Sequence, residues 1–444
     1  MGRPTRARAL SVWANGERVG TWTIPARGDM ELVYEPHWMA SEAGRPLSLS
    51  LPFTGEQALR GAPVSNYFEN LLPDSESIRR RLATRFKTDT LAAFDLLQAV
   101  GRDCVGAIQL LGADESPANV RSIEGTSLTE GEVEELLLLA VGSGAHPDVE
   151  DDDNFRISLA GAQEKTALLW HEGHWKRPHG ATPTTHILKL PLGLVGARKA
   201  DFGASVENEW LCMELLRELG LPAAKTEMLQ FGRQKVLSVE RFDRQMHSSG
   251  TWLMRLPQED FCQVSGTAPH LKYESDGGPG IADIARVLAG SVNAAADLKN
   301  FLKTQLLFWM MAAPDGHAKN FSLHILPRGR YKLTPLYDVM SIWPLEGKGA
   351  SQFSWHKAKL AMALHGKNRH YHFKDIQRRH FNAIAAKFFQ RDSAEDVIEE
   401  VLQDLERAIA AVTTRLPAGY PERIAVSVFD GLRRTAKLLA ISTP

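Results

Sequence analysis

APDGHAKNFSLHIL, residues 313–326, follows directly on a stretch, residues 298–311, that is nearly apolar on every face and reads as a buried helix. Asp315 and Asn320 stand in the DxxxxN relation of a kinase catalytic loop, in which the aspartate accepts the proton of the acceptor hydroxyl and the asparagine holds Mg²⁺. The spacing has a physical basis. A short loop folded over the end of a buried helix sets a carboxylate beside the acceptor, while the amide five positions on turns back toward the metal. Further along, in TPLYDVMS, Asp338 closes the apolar strand RYKLTPLY, where a carboxylate can chelate a Mg²⁺ that bridges phosphates. The Phe-Gly that follows this aspartate in protein kinases is absent. Each feature alone is common by chance or a plain turn; their order and separation on a buried helix point to a kinase.

Upstream, SLAGAQEKT (158–166) lies between two strand candidates, and backbone amides around Gly161 can cradle phosphates with Lys165 close by. A simple hairpin turn accounts for the same residues, since neither GxGxxG nor a full P-loop is present. Lys189 in THILKLP sits inside an apolar strand between Leu188 and Leu190, a placement that calls for an anionic partner. Phosphates of ATP serve, with Glu207 or Glu209 on the next helix as the paired acid; a lysine snorkelling at a sheet edge is the plainer reading. In VLSVERFDR, Val239 to Phe242 form the expected connection between lobes, where backbone groups rather than side chains meet adenine. Gln258, Glu259 and Asp260 in LPQEDFCQ and the loop KYESDGGPG (272–280) are polar enough to line a cleft, and solvated turns account for them equally well.

The rest of the chain supplies a setting for these residues. LSVWANGERVGTWTI (10–24) reads as a hairpin turning at Asn15-Gly16, the dipeptide that accepts positive φ at both turn positions. Helical material follows in NYFENLLPDSESIRRRLATRF, broken at Pro73 with Asp74 or Ser75 as cap, then a helix over 91–100 and a strand over 105–111. A helix over 128–141 precedes the acidic, glycine-containing stretch 142–154, which reads as a linker. NFRISLAG, KTALLW and THILKLP are strand candidates, and VENEWLCMELLRELG is a helix closed by Gly220. Two strands in EMLQFGRQKVLSVERFDR lead to a mostly helical half, where Ser393 and Asp396 bracket a capping-box-like start and Val397, Val401, Leu405 and Ile409 repeat every four residues. The fold expected is α+β and two-lobed, kinase-like: a mixed N-terminal subdomain over 1–125, a β-rich ATP-binding lobe over 126–245, and an α-helical catalytic lobe over 246–444.

Composition narrows the function. With 444 residues, 43% hydrophobic and 24% charged, the chain is neither a lone small module nor a disordered one. A formal net charge of −1 gives no global pull toward nucleic acid or anionic lipid. Only a local patch stands out: the stretch 367–387 carries Lys367, Arg369, Lys374, Arg378, Arg379 and Lys387 against Asp375, able to contact phosphates or simply to form a solvated helix face. Three distant cysteines suit neither a disulfide framework nor a CxxC metal site, no apolar run reaches membrane-spanning length, and no signal h-region is present, so a cytoplasmic protein without membrane partners is expected. The scattered histidines make no HExxH.

At FRISLAGAQEKT, TPTTHILKLP, VERFDR, LPQED, KYESDGGPG, DGHAKN and TPLYDV the sequence closely resembles the HipA family of bacterial serine/threonine kinase toxins, and the likeness continues in RPLSLSLP, ENLLPDS, FDLL and GRDCVGA. The resemblance implies a protein kinase fold of atypical sequence fed by Mg-ATP. Carried over by position, Asp315 is the catalytic base, Asn320 and Asp338 are the Mg²⁺ ligands, and Lys189 contacts phosphate. Ala160, Gly161, Ala162, Gln163, Glu164 and Lys165 form the phosphate loop; Glu240 and Phe242 hold adenine through their backbones; His317 and Tyr337 border the nucleotide. Ser158 matches the family's autophosphorylation site. Because Phe155, Ile157 and Leu159 alternate with Arg156, Ser158 and Ala160, Ser158 is expected to face away from the core.

The resemblance further implies a helix-turn-helix antitoxin, operator DNA bound by the joint complex with Arg379, Lys387 and Arg391 near it, and a protein substrate in the translation machinery, an aminoacyl-tRNA synthetase such as glutamyl-tRNA synthetase. Two other readings compete. A small-molecule phosphotransferase of the aminoglycoside type shares the Asp, Asn and downstream Asp but needs an acidic acceptor pocket. A catalytically silent corepressor needs none of Lys189, Asp315, Asn320 and Asp338, all of which are present.

Overall fold

The hairpin forms as expected: the strands Arg8–Ala14 and Glu17–Ile24 pair antiparallel around Asn15 (φ +50°) and Gly16 (φ +87°). The computed structural model describes residues 7–55, 57–142, 158–161, 163–196 and 199–441. The hairpin sits inside a five-stranded antiparallel sheet, in the order Leu59–Arg60, Glu31–Tyr34, Glu17–Ile24, Arg8–Ala14, Ile108–Gly112. Inward residues of these strands meet the helices Ala62–Glu69 and Ala93–Val100; Trp22 stacks on Phe68 at 3.8 Å with Phe94 beside it. This is a core of its own. The strand expected from Val105 begins only at Ile108, because Gly106 turns the chain at φ +77° and gives its amide to Asp243 at 2.7 Å.

A second sheet has six strands in the order Thr226–Phe231, Gln234–Glu240, His186–Lys189, Lys165–His171, His174–Pro178, Gly125–Ser127. Period-two alternation sends Leu188 and Val236 toward the helix Glu130–Val141, and Lys189 and Leu237 toward the helix Ser205–Glu218. The first helix starts on a capping box in which Thr129 and Glu132 exchange hydrogen bonds with each other's backbone. The second ends at Gly220, φ +78°, as its sequence requires. The linker reading of 142–154 falls, from residue 143 on, outside the described residues, as does the first half of the strand expected in NFRISLAG.

The remaining core is built on the helix Ala294–Met310, buried over most of its length, with Trp309 donating to the Phe373 carbonyl at 2.9 Å. Around it lie Ile281–Leu288, Arg378–Phe388, Glu395–Thr414 and Glu422–Ile441, and Val397, Val401, Leu405 and Ile409 all point inward. The capping box read at Ser393 and Asp396 is corrected: the cap position is Ala394, and Asp396 instead pairs with Arg391. A small sheet, Gln258–Asp260, Ser322–Ile325, Tyr331–Leu333, rests against this helical core and carries the catalytic-loop candidate on its middle strand. No helix among the described residues is long and apolar enough to cross a membrane.

Candidate active site

Register places two cations side by side. Lys165 is directly opposite Lys189 across its strand pair, and Lys189 is opposite Leu237 on the other side. Like charges so placed repel unless anions sit between or beyond them. The anions come from two other elements: Lys189 Nζ donates to Glu209 Oε1 at 2.6 Å and to Asp338 Oδ1 at 2.8 Å. The choice between the two candidate acids is thereby made, since Glu207 pairs with Lys235 at 2.6 Å. Burial disfavours the charge on Lys189, but Asp338 and Glu209 overcome it and hold the ammonium above its usual range. Burial likewise opposes ionisation of Asp338, and Lys189 with Lys165 drives its carboxyl well below the usual value. Lys165 loses the competition: burial and neighbouring Lys189 bring it down to about 8.

The loop after the long helix presents Asp315. Its carboxylate is 61% exposed and accepts a hydrogen bond from the Tyr273 hydroxyl at 2.6 Å. Asn320 is buried and donates its amide to the Asp315 carbonyl at 2.9 Å and to the Asp338 carbonyl at 3.4 Å, joining the two aspartate-bearing segments. Asp338 itself has φ +61°, a left-handed conformation that aspartate tolerates better than most side chains. His317 lies edge-on to Tyr273 with Nε2 3.9 Å from Asp315, and its buried Nδ1 has no hydrogen-bond partner among the described residues. Burial lowers the basicity of this imidazole.

The glycine-containing turn closes over the lysines. Gly161 has φ +104°, Lys165 donates to the Ala160 carbonyl at 2.7 Å, and Gln163 donates to the Leu190 carbonyl at 2.6 Å. Glu164 is paired with Arg81 of the N-terminal unit. Ala162 lies outside the described residues. The outward orientation expected of Ser158 is corrected: the side chain is fully buried, its hydroxyl donating to the Leu71 carbonyl at 2.7 Å and its amide to the Asp103 carbonyl at 3.1 Å. Alternation along a strand does not apply, because residues 158–160 are not in one.

In the lobe connection the Glu240 amide is used by the Lys225 carbonyl at 2.9 Å, whereas the Phe242 amide meets no acceptor among the described residues. The Phe242 ring lies 5.7 Å from that of Tyr337, whose hydroxyl donates to the Lys319 carbonyl at 2.8 Å. Side chains here carry more than the sequence suggested. Arg241, Asp243 and Arg244 form a buried network with Arg255, Thr184 and Asp103, including Arg241 to Asp243 at 2.9 Å and Arg244 to Asp103 at 2.9 Å. Glu259, read as cleft or turn, is fully buried and accepts from the Leu49 amide at 2.9 Å; Asp260 caps the short helix Phe261–Val264 and lies 3.3 Å from Lys319.

The loop KYESDGGPG, read as cleft or solvated turn, brings Tyr273 to Asp315. Lys319 and Asp103 escaped the sequence reading as contributors to this region; DGHAKN and GRDCVGA contain them, but only packing shows what they touch. The basic stretch divides. Arg378 is buried between Glu395 and Glu399 and is spent on the fold, Arg391 pairs with Asp396, and Arg379 and Lys387 are exposed.

Mg²⁺ and ATP fit these residues. Mg²⁺ takes oxygen donors, commonly one or two from protein with the rest from phosphate and water. Asp338, held ionised, and the side-chain oxygen of Asn320 are such donors, and no cluster of three or more His, Cys, Asp or Glu suited to a metal occurs among the described residues. Lys165 and Lys189, side by side, would supply positive charge for phosphates.

Residues 157–409 match the model of the HipA-like C-terminal domain, and residues 10–111 match that of the HipA N-terminal domain. A putative kinase, Y4mE, of Sinorhizobium fredii is 34% identical over 75% of this chain and 77% of its own. The serine/threonine-protein kinase toxin HipA of Shewanella oneidensis is 28% identical over 73% of each chain. The solved structure of HipA with HipB and its operator DNA from Shewanella oneidensis MR-1 superposes with a TM-score of 0.76, 23% identity and 97% coverage of both chains, a likeness of fold.

Proposed function

Because the chain belongs to the HipA family and is a serine/threonine protein kinase of that family, we propose that its phosphoryl transfer is carried out at Lys189, Asp315, Asn320 and Asp338. One observation carries the assignment: a single buried ammonium, Lys189, reaches Glu209 at 2.6 Å and Asp338 at 2.8 Å, while Asn320 links Asp338 to Asp315. Bound Mg-ATP supplies the phosphoryl group and the cation that neutralises charge developing on it. Lys165 and Lys189 hold the phosphates, Asp338 and Asn320 hold Mg²⁺, and the Phe242 amide and Glu240 carbonyl meet adenine. Asp315 accepts the proton of the attacking seryl or threonyl hydroxyl through the carboxylate oxygen that Tyr273 leaves open. His317 and Tyr337 border the nucleotide.

A base so positioned contributes ~10² to 10⁴ in rate. Asp315→Ala is expected to lower phosphoryl transfer by about 10²-fold or more, read as labelled phosphate moved from ATP to protein; near-normal transfer rejects the assignment. Mass spectrometry of a lysate incubated with protein and ATP separates a protein kinase from a small-molecule phosphotransferase, since the latter leaves proteins unmodified.

Regulation and partners extend the same reading. Ser158 is the self-modification site, and its burial between the Leu71 and Asp103 carbonyls means that the segment must leave its seat to be phosphorylated. A phosphate of charge about −1.5 to −2 cannot return to a site walled by carbonyl oxygens, so modification switches the phosphate loop off. The acceptor proposed is a protein of the translation machinery, an aminoacyl-tRNA synthetase. A helix-turn-helix antitoxin is proposed as partner, with operator DNA reached by the complex near the exposed Arg379 and Lys387 and the adjoining Arg391.

A further inference from the structure

The loop of residues 70–74 connects two helices of the N-terminal unit, Ala62–Glu69 and Glu76–Phe86, and touches both halves of the candidate active site. Toward the phosphate loop, the Leu71 carbonyl accepts from Ser158 at 2.7 Å and the Asp74 amide donates to the Gly161 carbonyl at 3.1 Å. Toward the catalytic loop, Lys319 donates to the Asn70 side-chain oxygen at 2.8 Å and to its carbonyl at 3.2 Å. Lys272 donates to Asp74 Oδ2 at 2.9 Å, and the other carboxylate oxygen, buried without a hydrogen bond, lies 3.7 Å from Lys319 Nζ.

Both lysines lead to the reacting groups. Lys319 sits between Asp315 and Asn320 in the chain, yet its ammonium is buried against Asn70, Asp74 and Asp260. The Lys272 carbonyl accepts from the Ala318 amide at 3.2 Å, and the next residue, Tyr273, donates to Asp315 at 2.6 Å. The loop therefore divides its labour: backbone groups hold the phosphate loop, and the side chains of Asn70 and Asp74, with the Asn70 carbonyl, hold the catalytic loop.

We propose that Asp74 is a positioning residue for phosphoryl transfer, fixing residues 315–320 through Lys272 and Lys319 so that the N-terminal unit is a working part of the active site. The proposal rests on the kinase reading above. Asp74→Asn keeps the amide that holds Gly161 and the side-chain shape, and removes the charge that faces the two lysines.

The test compares the full-length protein with Asp74→Asn, Lys272→Met and the double variant, using labelled phosphate moved from Mg-ATP to the proteins of a lysate for kcat and calorimetric titration of ATP for affinity. Asp74→Asn is expected to lower kcat tenfold or more with ATP affinity within about threefold, and the double variant to be no slower than the slower single one, since both act along one path. Wild-type kcat in Asp74→Asn, a loss confined to ATP affinity, or single effects that multiply in the double variant would each overturn the proposal. Amide hydrogen exchange without nucleotide is the second measurement: Asp74→Asn should speed exchange at residues 317–320 at least tenfold and leave the long helix unchanged. Unchanged exchange there rejects the strut even if the wild-type protein moves no phosphate to protein, a result that would strike the kinase reading instead. If Asp74→Asn does not fold, Tyr273→Phe removes the last bond of the path, and unaltered kcat in that variant refutes the proposal.

Discussion

Lys189 shows how one buried charge can weigh on the fold. Its ammonium is buried and is paired with two carboxylates, Glu209 and Asp338. Removing one member of such a pair leaves a buried charge and costs roughly 3–5 kcal/mol, whereas replacing both members is far milder. Lys189→Met is therefore expected to lower denaturant stability by about that amount and to abolish phosphoryl transfer. Lys189→Met with Glu209→Leu should recover much of the stability and none of the activity. Chemical denaturation and a labelled-ATP assay on the same preparations check both halves. Ser158 behaves in the opposite sense: its hydroxyl is small enough to be satisfied by a carbonyl, and a charge is not. Ser158→Asp is expected to weaken ATP binding at least tenfold in calorimetry, and ATP affinity equal to wild type would disprove the displacement mechanism.

Among the elements, the short strand Gln258–Asp260 carries a titration that the sequence hides. Burial raises the Glu259 carboxyl from the ordinary 4.5 to about 8, only partly offset by the hydrogen bond from the Leu49 amide. The folded protein therefore holds a proton that the unfolded chain has released between those two values. Stability should fall as the pH rises from about 4.5 to about 8 and stay level above, by an amount on the order of a few kcal/mol. Glu259→Gln keeps the acceptor for Leu49 and should flatten that slope, with Tm measured at pH 5 and pH 8; an unchanged slope contradicts the assignment. The helix Ala294–Met310 was legible from its last turns, Leu306–Met310, which are apolar on every face, whereas Lys299 and Lys303 upstream pair with Glu400. The strand near Val105 and the cap near Ser393 were misplaced because a tertiary contact decides each: Gly106 answers to Asp243, and Asp396 answers to Arg391.

The whole molecule is bound together by charges that the sequence scatters. Asp103, from the N-terminal unit, meets Arg241, Arg244 and Arg255 and accepts from Thr184, so that unit is joined to the lobe connection by a buried network. Burial would raise the Asp103 carboxyl, but the three guanidiniums hold it well below the usual range. Asp103→Asn leaves Arg255 without its carboxylate and Arg241 and Arg244 sharing Asp243, and is expected to cost roughly 3–5 kcal/mol in denaturant unfolding. A change within ~0.5 kcal/mol would show that the network does not hold the units together. The same packing explains the N-terminal unit's reach into the active site through residues 70–74.

By itself the sequence determined the elements and the chemical inventory. Asn15-Gly16 sets a hairpin, the apolar run sets a buried helix, and Asp315 with Asn320 five residues on has the spacing of a kinase catalytic loop, because these signals lie in residue type and short spacing. Tertiary structure alone decided which acid meets Lys189, that Ser158 is buried, that Asp74 meets Lys272, that Tyr273 meets Asp315, that Lys319 meets Asn70 and that Asp103 meets Arg241, Arg244 and Arg255. Those facts depend on which surfaces come together across tens to hundreds of residues, and a hydrogen bond acts only over about 3 Å, a distance that spacing along the chain does not encode.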